Sequence, residues 1–402
     1  MHVVIIGNSI AADCLIEELG RHTTGPALDI TVIGDEPHRA YNRVLLSQVL
    51  SGDVSDSSIA LRTPNWQSNH RIRYRQGLRV EEIDRAAQQV ALDNGEQLPY
   101  DRLVLATGAR ASLPKGVDPT LHGVRVFRTL DDAHTLINTP KGSHTIVFGG
   151  GLLGLEAAAG LLSLGVRVTL VHRNAWLLNR QLDRAAGRLL LANLQRRGLL
   201  VELGSTVSAV EGDRHVRAVR LDSGRCLSAT QIVFATGITP RAELALAAGL
   251  PVNRGVMVDD HLQSPDPCVF ALGECAECSG ETVGLVSPIR DQAKVLARTL
   301  LGQSGAPYTH RAHAAQLKVA GIDVFSAGDV NHEGEQTMVF DDPLTPARRK
   351  LVLENGRLKA IMLFGDVRDG PWFNALMQKG IDTRALHDRL LFGKAYCEGL
   401  AA

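Results

Sequence analysis

The chain carries no surplus charge: Lys+Arg and Asp+Glu each number 43 in 402 residues. That balance gives no bulk electrostatic reason to expect nucleic acid or an anionic membrane as a partner. Cysteine is scarce. Six in a chain this long do not make a disulfide framework. The only close pair, Cys275-x-x-Cys278, has no second pair to complete a structural zinc site. A redox pair and two packed thiols both remain open for it. His310 and His313 lie near each other, but that spacing alone does not mark a metal site, and no metal is expected. A long uninterrupted apolar run is also missing. The nearest to one, residues 146–171, contains Glu156 and several glycines and passes from a strand pattern into a helix pattern, which is not a membrane span. A strand pattern begins almost at Met1 and leaves no room for a signal peptide, so the expectation is a cytoplasmic protein.

What is present is ordinary in bulk and specific in pattern. The chain is 45% hydrophobic and 21% charged, as soluble globular proteins are, and long enough for two or three domains. The organising stretch is 145–156. An apolar strand runs into Gly149-x-Gly151-x-x-Gly154, and Leu152, Leu153 and Glu156 open an Ala/Leu-rich helix. A glycine turn between a strand and a helix is the context that makes this motif a dinucleotide site. A weaker copy lies at the N-terminus: a β-branched run at 3–6, then Gly7, Asn8, Ser9, Ile10, Ala11 and Ala12. Ala12 satisfies the third position, where close helix–strand packing is the demand. Ser9 is the harder departure, since its Cβ must tolerate a pyrophosphate, to which its hydroxyl is a possible donor. Two such units imply two dinucleotides on one chain.

The ribose acids differ between the units. Asp35, with Glu36 in reserve, follows the strand at 29–33, where a carboxylate accepts from ribose hydroxyls. The strand at 166–171 ends instead in His172-Arg173, with no acid. Arg173 suits a 2′-phosphate and equally a solvated surface, so NADH and NADPH both stay open.

Between and beyond the motifs the reading is coarser. A helix is expected over 10–20, ending at Gly20, followed by Tyr41-Asn42-Arg43 and a polar stretch to about residue 70. Arg43 faces adenine or phosphate, or is a surface arginine. Residues 70–98 read as a small hairpin, and 103–109 as a buried strand ending in Ala106-Thr107-Gly108. Prolines 114 and 119 mark a crossing between domains. Thr129 with Asp132 reads as a helix cap. A hairpin-like stretch at 200–226 precedes a second Ala-Thr-Gly, ending at Gly237, and Gly273-Glu274 places an acid at another strand end. Ser287-Pro288 begins a helix to 301. From about 306 the pattern becomes hairpins, then a Trp-containing helix at 370–379 and a short terminal helix. The expected fold class is α/β: two Rossmann-like three-layer domains, 1–111 with 242–305 and 112–241, plus a C-terminal α+β module at 306–402.

This set of motifs, in this order and over essentially the whole chain, resembles the FAD-dependent pyridine nucleotide oxidoreductases. The resemblance implies FAD on the first glycine turn, NAD(P)H on the second, and Glu274, in place of the commoner Asp, on the flavin's ribityl–phosphate arm. The stretches at 41–47, 273–277, 317–329 and 349–356 resemble the flavin portion of assimilatory NAD(P)H nitrite reductase large subunits, and the stand-alone reductases that feed assimilatory nitrate reductases. By that likeness Asp35, Arg43, Ser47, Val80, Arg128, Glu274, Val286 and Ser287 belong to the FAD site, and Glu156, the candidate catalytic residue, lies near the flavin–nicotinamide junction. The implied activity is electron transfer from NAD(P)H through FAD. No iron–sulfur ligand set is visible in the sequence, so the acceptor is expected to be a separate redox protein.

Three other readings compete with this one. A disulfide reductase needs a cysteine pair on the first module, and residues 40–50 have none. A rubredoxin or ferredoxin reductase is the nearer rival. Gln48, where ferredoxin reductases tend to carry Lys, favours the nitrate-reductase partner. A flavin-binding sensor with little turnover fits the worn first turn and not the intact second one. The sequence leaves monomer and homodimer equally open.

Overall fold

The structure is a computed structural model that describes residues 1–22, 28–63, 72–311, 313–319, 321–342 and 344–398. The end of the polar stretch before residue 70 lies outside them. The chain forms two compact units, Met1–Ala111 with Ile238–Arg311, and Ser112–Gly237 with Ala312–Ala402.

The first unit is built on a five-stranded parallel sheet. Its order is Val269–Ala271, Arg102–Leu105, His2–Ile6, Asp29–Gly34, Ile72–Gln76. Continuous apolar runs suit these strands because both sheet faces are covered. One face packs Val3, Ile5, Val32 and Val104 against the helices Ile10–His22 and Val286–Leu300. The other packs Val4, Ile6, Leu103 and Leu105 against a small three-stranded antiparallel sheet, Val80–Asp84, Gln89–Leu92 and Gln97–Pro99.

Three local expectations need correction here. Residues 70–98 are not one hairpin: Ile72–Gln76 is the parallel edge strand of the main sheet, and antiparallel pairing begins only with Val80–Asp84. The first helix passes through Gly20 to His22. Leu15 and Leu19 are buried on that helix's packed face, and Gly20 has no left-handed φ, so nothing stops the helix there. The late helix starts at Val286, one residue before Ser287.

The second unit repeats the design. Its parallel order is Leu200–Leu203, Arg167–His172, His144–Phe148, Gln231–Phe234, Val124–Val126. Residues 200–226 are therefore not simply a hairpin, because Leu200–Leu203 is a parallel edge strand. The antiparallel strands Val207–Glu211, Ala218–Leu221 and Cys226–Ser228 come after it, as their counterparts do in the first unit. Both small sheets carry a register shift in their first strand, at Val80/Glu82 and at Val207/Ala209. The expected cap is a full capping box: Thr129 accepts from Asp132 N–H, and Asp132 accepts from Thr129 N–H, at the head of Leu130–Ile137.

The C-terminal module is a five-stranded antiparallel sheet, ordered Ala315–Val319, Ile322–Ala327, Arg357–Phe364, Arg348–Glu354, Gln336–Asp341, covered by the helix Gly370–Gln378. Gly370 lets that helix lie on the Phe325 ring, which a Cβ would meet at 2.6 Å. Within the unit, this module is fastened to the parallel-sheet part at 179–183. Arg348 Nη2 donates to Asp183 Oδ2 at 2.8 Å, Asp183 N–H donates to the Met362 sulfur, and Asn331 Nδ2 donates to the Asn179 carbonyl.

Candidate dinucleotide sites

Each parallel sheet ends in the same tight turn. Gly7 has φ +120° and Gly149 φ +122°. A Cβ on Gly7 would stand 2.0 Å from the Ala106 carbonyl oxygen, and one on Gly149 would stand 2.2 Å from the Ala235 carbonyl oxygen. These first glycines are thus demanded by the neighbouring strand, whatever binds outside. Gly154 is demanded by its own turn, whose Gly149 oxygen a Cβ would meet at 1.9 Å. Gly151 is different. It caps the helix Leu152–Ser163 with no side-chain partner, and among the described residues a Cβ there meets no atom within 4 Å. Among the described residues the turn leaves open space at that glycine, and the first helical N–H groups behind it have no partner within the helix, an arrangement that suits a pyrophosphate.

The two Ala-Thr-Gly turns are also duplicates. Thr107 Oγ1 donates to the Arg241 carbonyl at 2.6 Å, and Thr236 Oγ1 donates to the Ser112 carbonyl at 2.9 Å. Each threonine thereby ties a strand end to a segment where the chain crosses between units. Gly108 and Gly237 both have positive φ.

In the first unit the structure brings some of the expected residues together. Gly273 lies against Ala11, whose Cβ is 3.0 Å from where its own would be, and Glu274 Oε2 approaches Gly108. The Gly273 N–H donates to Gln292 Oε1 at 2.8 Å. Gln292 is 1% exposed. It sets the Gly273–Glu274 turn from the helix Val286–Leu300, and sequence reasoning missed it. A polar residue on an otherwise buried helix stripe was the available signal.

A cavity of about 660 Å³ opens beside the turn, lined among others by Gly7, Asp35, Val80, Thr107, Arg110 and Arg241. Asp35 reaches into it and pairs with Arg241 Nη1 at 2.9 Å. Glu36 does not line it. It accepts from Tyr41 Oη at 2.7 Å and is ion-paired with Arg43. Arg43 also lies over the Tyr41 ring, 5.0 Å from its centroid, so it is held in place and is no freely solvated arginine. Ser47 lies in the short helix Leu46–Ser51, and Val286 and Ser287 open the helix Val286–Leu300. Asn8 and Ser9 sit between Gly7 and the helix that Ile10 begins, and Ala12 is fully packed on the sheet.

The second unit contains Arg128, Leu152, Leu153, Glu156, His172 and Arg173. Arg128 N–H donates to Asp132 just ahead of the capping box. Glu156 is partly buried in the first turns of Leu152–Ser163. His172 is 7% exposed, and its Nδ1 accepts from the Gly150 N–H at 3.0 Å. Burial pushes the pKa of this imidazole down, so the ring is neutral near pH 7.

Cys275 and Cys278 are packed separately. Each thiol is directed at different backbone carbonyls, Cys275 at Leu105 and Leu272, Cys278 at Asp259. Both are buried and free, and burial raises both thiol pKa values. Among the described residues no group of three or more His, Cys, Asp or Glu is placed to hold a metal. None of the described helices is long and apolar enough to cross a membrane.

Known proteins share this architecture. Residues 314–381 match the rubredoxin NAD+ reductase C-terminal domain. The chain is 38% identical over 383 residues to a nitrite reductase [NAD(P)H] of Bacillus subtilis (strain 168), covering 94% of this chain and 47% of that protein. It is also 38% identical over 372 residues to the assimilatory nitrate reductase electron transfer subunit of the same organism, covering 91% and 48%. It thus spans about half the length of these curated relatives. Among solved structures, the putidaredoxin reductase of a covalent putidaredoxin reductase–putidaredoxin complex superposes with a TM-score of 0.86 at 27% identity, covering 100% of this chain and 99% of that one. Residues 1–299 match the pyridine nucleotide-disulphide oxidoreductase model, and the chain belongs to that family.

Proposed function

We propose that this chain is an FAD-dependent NAD(P)H oxidoreductase that passes electrons from NAD(P)H through FAD to a separate redox protein. Its place is the reductase component of assimilatory nitrate or nitrite reduction, in the cytoplasm. Residues 1–111 with 242–305 hold FAD, 112–241 hold NAD(P)H, and 306–402 form an interface module.

The observation that carries this reading is the doubled cradle. Two strand–turn–helix units each carry a glycine turn ahead of a helix, and at Gly151 no atom of the described residues would meet a Cβ within 4 Å. The names of the relatives support the nitrate and nitrite assignment.

Together the bound cofactors supply hydride transfer and the onward release of single electrons. The chain's part is to bind and align them. Backbone N–H groups at Asn8, Ser9 and Ile10 face one pyrophosphate, and those at Leu152 and Leu153 the other. Asp35 accepts from the adenosine ribose of FAD, steadied by Arg241. Glu274, held by the Gly273–Gln292 bond, faces the flavin arm. Glu156 acts at the reacting end of the pyridine nucleotide.

The test is the anaerobic visible spectrum of the purified protein, before and after NADH and, separately, NADPH. Yellow protein bleached by a pyridine nucleotide is the expected result. Bound flavin that no nucleotide bleaches overturns the reductase reading and favours a sensor. Colourless protein unable to take up FAD overturns the first site. A second reading, a reductase for rubredoxin or a ferredoxin, is favoured by the match at residues 314–381. Efficient reduction of a rubredoxin, with no reduction of a nitrate reductase catalytic subunit, would select it.

A further inference from the structure

The two units can be registered on one another through a single hydrogen bond. Gly7 N–H donates to the Ile33 carbonyl at 2.7 Å, and Gly149 N–H donates to the Val171 carbonyl at 2.9 Å. Counting from there, Gly34 corresponds to His172 and Asp35 to Arg173. The charge at the ribose position is inverted between the two sites.

The bulk at the preceding position is inverted as well. In the first unit Asn8 packs where Gly34 has no side chain, and a Cβ on Gly34 would stand 2.6 Å from the Asn8 Cβ. In the second unit His172 packs where Gly150 has none, and a Cβ on Gly150 would stand 2.5 Å from the ring.

His172 cannot replace the missing acid. Its one acceptor, Nδ1, is occupied by the Gly150 N–H. In the neutral ring the proton is then on Nε2, which is buried and can only donate. A ribose 2′-hydroxyl that seeks an acceptor finds none on this residue.

The loop after His172 offers donors instead. Arg173 and Arg180 are exposed and make no ion pair or hydrogen bond with the described residues. No acid occurs between Glu156 and Asp183, and Asp183 is taken by Arg348. The backbone that carries the two arginines is pinned. Leu178 N–H donates to the Gly150 carbonyl at 2.8 Å, Asn174 Nδ2 to Asn179 Oδ1 at 3.0 Å, and Trp176 Nε1 to the Leu182 carbonyl at 2.9 Å.

We infer that the second glycine turn selects a 2′-phosphorylated adenine dinucleotide, NADPH over NADH, with Arg173 and Arg180 as the phosphate-binding residues. This rests on reading that turn as the pyridine-nucleotide site. Guanidinium groups donate to phosphate in pairs, which an ammonium does not match, and a ribose diol gives them no charge to meet.

The test is calorimetric titration of the flavin-loaded protein with NADP+ and with NAD+, neither of which is consumed. NADP+ should bind about tenfold or more tightly, the difference expected of charge-assisted hydrogen bonds. In Arg173→Ala with Arg180→Ala that advantage should vanish while NAD+ affinity stays within about threefold. Competition by 2′,5′-ADP, stronger than by 5′-ADP and lost in the same variant, would assign the effect to the phosphate. NAD+ binding as tightly as NADP+ overturns the inference and leaves the second site standing. Binding of neither removes the site, and the inference with it.

Discussion

His172 accepts a hydrogen bond from the Gly150 N–H at 3.0 Å, and its ring fills the space a side chain at residue 150 would need. The bond and the fit are mutual constraints, so the pair should behave as one unit. Gly150→Ala is expected to cost about 1–3 kcal/mol by overpacking. Chemical denaturation of Gly150→Ala, His172→Ala and the double variant checks this. The double should be more stable than the sum of the singles predicts. Strict additivity would refute the coupling.

The glycines of the second turn should separate by role. Gly154→Ala places a Cβ 1.9 Å from the Gly149 oxygen and should destabilise the fold. Gly151→Ala meets nothing within 4 Å and has an extended backbone, φ −83°. It should leave stability within about 0.5 kcal/mol of the parent and still weaken pyridine-nucleotide binding. Thermal melts alongside nucleotide titrations read both. Unchanged binding in Gly151→Ala would mean that no ligand approaches there.

Acid should act on the same turn. Burial holds the His172 pKa below the ordinary 6.5, and protonating Nδ1 would set two N–H groups against each other. A lowered folded-state pKa means the contribution is full above 6.5 and is lost as pH falls through the folded value. His172→Asn keeps an acceptor and cannot titrate, so its stability should fall less steeply below that pH. His144 is shifted the same way by burial, so some slope will remain. Denaturation midpoints across the acid range decide it, and identical slopes in parent and variant would count against His172.

Arg348 and Asp183 are each only 11% exposed at the side chain, and Asp183 also caps the helix Arg184–Arg196. Arg348→Met should cost about 2–4 kcal/mol, because it leaves a carboxylate buried without its partner. Asp183→Asn keeps a cap and loses the charge, so it should cost less than Asp183→Ala. Equal losses in the two Asp183 variants would show that capping contributes nothing.

Cys275 and Cys278 should be inert. Buried thiols with raised pKa react slowly. The native protein is expected to leave both unmodified by a thiol reagent at neutral pH, and Cys275→Ser with Cys278→Ser should still bleach on reduction. Rapid modification, or loss of bleaching with flavin still bound, would restore a redox role.

Much of the site was legible because close approach must be written locally. Gly7, Gly149 and Gly154 are glycine since a neighbouring carbonyl leaves no room for a Cβ, and such a need shows in the chain. The same holds for the Thr129–Asp132 box, whose partners are three residues apart. The edge strands Ile72–Gln76 and Leu200–Leu203 were not legible, because a strand's pairing direction lies in its neighbour and not in its own alternation. Gly20 misled for the converse reason: burial of Leu15 and Leu19 outweighed a weak local stop.

The sequence by itself determined that there are two glycine turns between strand and helix, that no acid follows the second strand of the later one, and that a different module comes after them. Tertiary structure alone decided which groups are already spoken for. Asp35 meets Arg241 across 206 residues, Gln292 sets Gly273, and His172 uses its acceptor on Gly150. Hydrogen bonds of that kind join residues distant in the chain, and no local pattern records whether a polar side chain is engaged or available.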